Sequence, residues 1–258
     1  MTKITAFLAA ASLAGSAAVA AQPAPIRNVV LVHGAFVDGS GWRGVYDRLT
    51  ARGYKVSIVQ NPLTSLDDDV AATNRVLARQ DGPTILVGHS YGGSVITQAG
   101  AHPKVAGLVY IAAFAPEVGE STLDQYAEVA PPPNFMPEEQ PDGFAFLNGD
   151  KFKAGFAADV SDAGAAFLRD SQVPIAMAAL KAKVTVVAWR SKPSWYVVAT
   201  EDGAIDPKLL RSTARRINAK TSEIEGSHVL FMTQPQAIAD VIADAAQGAV
   251  AHRSNTGE

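Results

Sequence analysis

The stretch Gly88-His89-Ser90-Tyr91-Gly92 follows the apolar run Thr84-Ile85-Leu86-Val87 and precedes Gly93-Ser94-Val95-Ile96-Thr97-Gln98-Ala99. The order is strand, sharp turn, helix, which is the setting that a nucleophile elbow requires. Ser90 is placed at the tip of the turn, with its hydroxyl exposed and its backbone strained. Gly88 and Gly92 leave room for strand and helix to approach closely. The helix N-terminus then directs backbone N–H groups toward any oxyanion formed beside Ser90. An ordinary β–turn–α connection can also contain a serine, so the reading depends on the rest of the chain.

Outward from this turn, strand-like and helix-like segments alternate. Residues 28–33 read as a buried strand, 42–51 as a helix, 55–59 as a strand and 67–79 as a helix with acids at its favourable N-terminal end. Residues 84–87 and 91–101 form the elbow strand and helix, and 105–113 a longer buried strand. The pattern resumes late in the chain with a strand at 194–199, a helix at 207–218, a strand at 221–225 and a helix at 235–246 that opens on Pro235. Residues 247–258 are polar and are expected to fray. The alternation predicts an α/β fold with a mostly parallel sheet of about six strands flanked by helices.

Residues 116–190 break the pattern. Pro131, Pro132, Pro133 and Pro137 interrupt them, and no clear buried strand is visible before Val184. Six of the ten phenylalanines fall here: Phe135, Phe144, Phe146, Phe152, Phe156 and Phe167. The segment reads as an inserted cap of short helices and loops. Most of its aromatics are expected to pack the cap on the core, and a few to line an apolar pocket above Ser90.

A chain of 258 residues is long enough for one large domain with a sizeable core. The net charge of −3 and the lack of a basic run argue against nucleic acid as a partner. The sequence has no cysteine, which excludes disulfides, thiolate catalysis and Cys-ligated metal sites. Its five histidines are scattered and make no HExxH pair, so a zinc hydrolase is disfavoured. At the N-terminus, Lys3, the apolar residues 4–14 and Ala18-Val19-Ala20 fit a cleaved secretory signal over residues 1–20. The mature domain is then 21–258, exported to a periplasm or the medium and free of the membrane after cleavage. The sequence carries no signal for oligomeric state.

A serine hydroxyl needs a base, and the base needs an orienting carboxylate. On a nucleophile-elbow scaffold the order along the chain is Ser, acid, His. His252 lies in the polar tail, whereas His228, in Gly226-Ser227-His228, directly follows the last strand. Loops at the C-terminal ends of parallel strands are where ligand chemistry occurs, so His228 is the candidate base. Val197-Val198-Ala199-Thr200 runs into Glu201-Asp202-Gly203. Asp202 is the favoured acid because it lies further beyond the strand end and Gly203 permits a turn. Glu201 reads as a solvated neighbour, Asp206 before Pro207 as a helix N-cap, and Glu117 as an acid placed after the earlier strand. The N–H of Tyr91 is one expected oxyanion donor; Ala35 in His33-Gly34-Ala35-Phe36 supplies the second, with Phe36 as its alternative. His33 is expected to bond within its own loop, His89 to point away from Ser90, and His102 to end a helix before Pro103.

Taken together, His33-Gly34, Gly88 to Gly93, Thr200-Glu201-Asp202 and Gly226-Ser227-His228 resemble the α/β-hydrolase superfamily over about residues 27–246. His33-Gly34-Ala35 with Gly41-Trp42, Ala112-Ala113-Phe114-Ala115-Pro116, and Thr200 to Ile205 are similar to the plant methyl esterase and hydroxynitrile lyase branch. That resemblance implies a helical cap, no cofactor, a Ser90–Asp202–His228 triad, and Ala35 and Tyr91 as oxyanion donors. The lyases of the branch carry Thr where this chain has Gly34, and Lys where Val229 follows His228, so an esterase is favoured. The expected activity is hydrolysis of small to medium apolar esters through an acyl-enzyme. Hydroxynitrile-lyase-like or cofactor-free perhydrolase chemistry on the same triad is the alternative, and a non-catalytic ligand-binding protein on the same scaffold a third. Dehalogenase and epoxide hydrolase chemistry would need a carboxylate at position 90. The export signal and the cap sequence depart from the plant proteins.

Overall fold

The structure is a computed structural model that describes residues 24–256. The expected signal segment, 1–20, lies outside the described residues. Continuous apolar sequence makes the interior strands, because a strand covered by helices on both faces meets no water. Thus β1 (Asn28–Val32) is buried along its whole length. A 3₁₀ turn (Gly39–Trp42) leads from it to α1 (Arg43–Ala51), and then come β2 (Lys55–Val59), α2 (Leu66–Ala78), β3 (Thr84–His89), α3 (Gly92–Ala99) and β4 (Val105–Ile111). The Ser65 hydroxyl caps α2 by accepting from the Asp68 N–H, and three aspartates in its first turn face the positive end of the helix dipole.

The insertion follows, with α4 (Thr122–Tyr126), β5 (Pro137–Glu139), β6 (Phe144–Leu147), α5 (Phe152–Phe156), α6 (Asp162–Asp170), β7 (Ile175–Ala176) and α7 (Met177–Lys181). The core is completed by β8 (Ser194–Ala199), α8 (Pro207–Arg216), β9 (Lys220–Ile224), α9 (Leu230–Thr233) and α10 (Pro235–Thr256). Six strands pair in parallel in the order β2-β1-β3-β4-β8-β9. β1, β3, β4 and β8 are wholly buried, whereas the edge strands β2 and β9 carry exposed charge at Lys55, Lys220 and Glu223. The chain leaves β1 toward one edge, then crosses back to β3 and continues toward the other. The crevice outside β1 and β3 is therefore the topological switch point, where open α/β sheets bind ligands.

Two sequence expectations need correction. The insertion is not made of helices and loops alone: it contains a three-stranded antiparallel sheet, β5-β6-β7. Its strands are two to four residues long, too short to show a period, and Pro137 sits at the first residue of an edge strand, where its missing N–H costs nothing. These strands precede Val184, where no clear buried strand was expected, and the approach to β8 is a 3₁₀ turn, Ala188–Arg190. The expected tail from residue 247 instead continues α10 to Thr256. Ala245, Ala246 and Ala249 are buried, and at Gly248 a Cβ would come within 2.5 Å of Trp195, so packing on the sheet extends a helix that composition alone would end.

The elbow depends on a close approach of α3 to the turn after β4. A Cβ at Gly93 would meet the Phe114 carbonyl oxygen at 2.1 Å and the Ala113 Cβ at 2.8 Å. Gly93→Ala is expected to destabilise the protein by about 3 kcal/mol, because both obstacles belong to buried chain that cannot step aside. Chemical denaturation measures this, and an unchanged midpoint would show that the elbow tolerates the shift.

Candidate active site

Ser90 follows directly on β3, and its φ of 53° lies in the left-handed region, which costs a residue with a Cβ about 1 kcal/mol or more. The surrounding backbone imposes that conformation. The Ser90 N–H donates to the Ile111 carbonyl at 3.2 Å, and the Ser90 carbonyl accepts from the N–H of Gly93 at 2.9 Å and of Phe114 at 3.2 Å. The strained turn aims Oγ at the loop after β9. There His228 Nε2 lies 2.8 Å from Ser90 Oγ, and His228 Nδ1 lies 2.7 Å from Asp202 Oδ2. All three residues are buried. The other Asp202 oxygen accepts the N–H groups of Ala204 and Ile205, each at 2.8 Å, which pins the carboxylate in the turn after β8.

The competing acids are engaged elsewhere. Glu117 pairs with Arg190 at 2.6 Å, Glu201 is exposed, and Asp206 caps α8 by accepting from the Lys208 N–H at 2.8 Å. His33 accepts the Asn61 N–H at Nε2 (2.9 Å) and so donates from Nδ1 to the Gly34 carbonyl (2.8 Å); burial lowers its pKa. His89 is fully buried beside Trp42, Phe231 and the His228 ring. Burial first, and then the His228 charge, push its pKa well down, so it is neutral and donates from Nε2 to the His228 carbonyl at 2.9 Å. His102 does not end the helix but lies three residues beyond α3, donating its N–H to the Ala99 carbonyl at 3.0 Å and accepting the Lys104 N–H at 3.2 Å.

Ala35, Tyr91, Ser90 and His228 face one cavity of ≈ 70 Å³. Its walls are Phe36 and Phe114 from the core and Leu123, Tyr126, Phe135 and Phe156 from the insertion. Of the six insertion phenylalanines, Phe135 and Phe156 reach it; Phe152 packs behind Phe156 at 5.2 Å, and Phe146 and Phe167 are exposed. Phe36 itself adopts a φ of 66°, which turns the chain directly after Ala35.

A model of the alpha/beta hydrolase family matches residues 29–241. The chain belongs to that family. Among curated hydrolases it is similar to a carbendazim hydrolyzing esterase from Nocardioides sp. (strain SG-4G), 34% identical over 42% of this chain and 50% of the relative. It is also similar to a pyrethroid hydrolase from Sphingobium wenxiniae, 33% identical over 34% of this chain and 36% of the relative. The matched segments thus span half or less of these two proteins. Salicylic acid-binding protein 2 of Nicotiana tabacum aligns over 89% of this chain and 98% of its own length at 26% identity. Among solved structures, an extracellular alpha/beta-hydrolase from a Paenibacillus species superposes with a TM-score of 0.73 at 21% identity, covering 86% of this chain and 99% of the other. That likeness shows the shared hydrolase fold. Among the described residues no helix is long and apolar enough to cross a membrane.

One buried charge beside the elbow was not singled out from sequence. Asp69 is fully buried; its Oδ2 accepts the Tyr91 hydroxyl at 2.7 Å and its Oδ1 the Leu63 N–H at 2.8 Å. Its signal was position: with Leu66, Thr73 and Leu77 it falls on the buried face of α2. Burial pushes its pKa up to about 6, more than the two hydrogen bonds pull it down. As pH rises from 3.8 to about 6, the folded protein keeps a proton here that the unfolded chain has lost, so this group's contribution to stability falls by about 3 kcal/mol. Asp69→Asn removes that dependence. The difference in unfolding free energy between wild type and variant is expected to slope across this window, and a flat difference in urea titrations at several pH values would contradict it.

Proposed function

We propose that the protein is a serine carboxylesterase that cleaves small to medium apolar esters through an acyl-enzyme. The observation that carries this reading is the placement of His228 between Ser90 Oγ and the Asp202 carboxylate, at 2.8 Å and 2.7 Å. Ser90 attacks the ester carbonyl carbon while His228 Nε2 takes the hydroxyl proton. Asp202 accepts a hydrogen bond from Nδ1–H, holding the tautomer in which Nε2 is free to act as base, and then stabilises the imidazolium. The N–H groups of Ala35 and Tyr91 hold the oxyanion. Collapse breaks the bond to the alkoxy oxygen, which takes the proton from His228 and leaves as the alcohol. Water, deprotonated by His228, then attacks the acyl carbon; the acyl–Oγ bond breaks, Ser90 Oγ takes the proton back from His228, and the acid is released.

The apolar walls of the cavity favour a neutral, apolar acyl or alcohol group. Relatives named as esterases agree with the reaction type. Cyanohydrin cleavage is disfavoured, because a Cβ at Gly34 would lie 2.7 Å from the Ser90 Cβ and the residue after the base is the buried, uncharged Val229. Export with cleavage near residue 20 completes the reading, on the strength of Lys3, the apolar run and Ala18-Val19-Ala20.

An ester panel of graded chain length tests the activity. Wild-type protein is expected to hydrolyse p-nitrophenyl esters with a preference for one short to medium chain length, and Ser90→Ala to lose roughly 10⁴-fold or more in kcat/KM. Hydrolysis by Ser90→Ala at the wild-type rate would contradict the mechanism, and a flat chain-length profile would contradict the enclosing pocket.

A further inference from the structure

The loop that carries His228 is held from the insertion. Asp159, just beyond α5, accepts the Ser227 N–H at 3.1 Å and the Thr233 hydroxyl at 2.7 Å on Oδ2, and the Ser227 hydroxyl on Oδ1. Ser227 is buried and immediately precedes His228, while Thr233 ends α9. One carboxylate therefore takes hydrogen bonds from both ends of the segment that presents the base. Such charge-assisted bonds are about twice as strong as neutral ones. Burial pushes the Asp159 carboxyl up, but the bonds from Ser227 and Thr233 outweigh it and hold it below the usual carboxylate value. Asp159 is thus ionised wherever an imidazole can act as base.

The same stretch of the insertion reaches the pocket. Phe156, which ends α5, lines the cavity and packs its ring 5.1 Å from the His228 ring. A single short segment thus touches the substrate space with a ring and the loop of the base with a carboxylate. On the core side, His89 grips the His228 carbonyl at 2.9 Å. The base is held between a core contact and an insertion contact.

We propose that Asp159 is a positioning residue carried by the insertion: by holding Ser227 and Thr233 it fixes the loop that aims His228 at Ser90, and it makes the alignment of the base depend on how the insertion is seated. This rests on the esterase reading above. A carboxylate that only fastened the insertion would affect stability and KM. One that aligns the base affects the chemical step, because its loss weakens both the Ser90–His228 and His228–Asp202 contacts.

The experiment is steady-state hydrolysis of p-nitrophenyl butyrate over about pH 5 to 9 by wild type, Asp159→Ala, Asp159→Asn and Ser90→Ala, with thermal melts to confirm folding. Asp159→Ala is expected to lose roughly tenfold to a hundredfold in kcat with little change in KM. Asp159→Asn keeps an acceptor oxygen and is expected to recover much of the loss. Wild-type kcat in Asp159→Ala, or a loss confined to KM, would overturn the proposal. If Asp159→Ala does not fold, Thr233→Val removes one donor and leaves Asp159 in place; a fall of about threefold in kcat with KM unchanged supports the proposal, and an unchanged kcat overturns it. Activity in Ser90→Ala would instead overturn the esterase reading, so the two failures are separate.

Discussion

The 2.8 Å contact between Ser90 Oγ and His228 Nε2 joins two loops separated by 138 residues, and most of the architecture serves to bring those loops together. It needs β3 and β9 to end on the same side of one sheet, which the parallel order β2-β1-β3-β4-β8-β9 provides. It also needs Ser90 to keep an unfavourable φ, which its N–H bond to the Ile111 carbonyl and the N–H groups of Gly93 and Phe114 on its own carbonyl enforce. The strain is local, and it is held by buried strands and by the close contact of α3 with the turn after β4.

Polar groups around that contact are buried, and burial is costly unless each group is partnered. Asp202 meets this requirement with two backbone N–H groups and His228. Asp69 meets it with Tyr91 and Leu63, and because Ala176 of β7 donates to the Leu63 carbonyl, the insertion is joined to the same network. Tyr126 of α4 adds another link by donating to the Ala204 carbonyl in the Asp202 turn. The insertion therefore touches the surroundings of Ser90, Asp202 and His228. Its mixture of short helices and a small sheet is a scaffold for those contacts as well as a lid of aromatic side chains.

Much of this was legible in sequence. The interior strands are apolar without interruption because helices cover both their faces, so β1, β3, β4 and β8 stand out, and the placement of Ser90, Asp202 and His228 follows from strand ends. The insertion was less legible because its order comes from contacts distant in sequence. β7 has only two residues and pairs with β6 far behind it, so no local period could announce it. The C-terminal extension of α10 was hidden for a related reason: residues 247–258 read as a polar tail until Gly248 is seen to pack against Trp195. Asp69 was read only as one of the acids at the N-terminal end of its helix, although its place on the buried face of α2 set it apart, and Asp159 drew no reading, since an aspartate that holds a distant loop differs from a solvated one only in its partners.

The central claim is that Ser90 is a nucleophile activated by His228. Reaction of the folded protein with a fluorophosphonate, followed by peptide mass spectrometry, tests it directly. The account predicts one phosphonate on the peptide that contains Ser90, formed quickly in the wild type and slowed by roughly 10³-fold or more in His228→Ala. An unmodified Ser90 in protein that still hydrolyses esters, or labelling that proceeds equally well without His228, would contradict it.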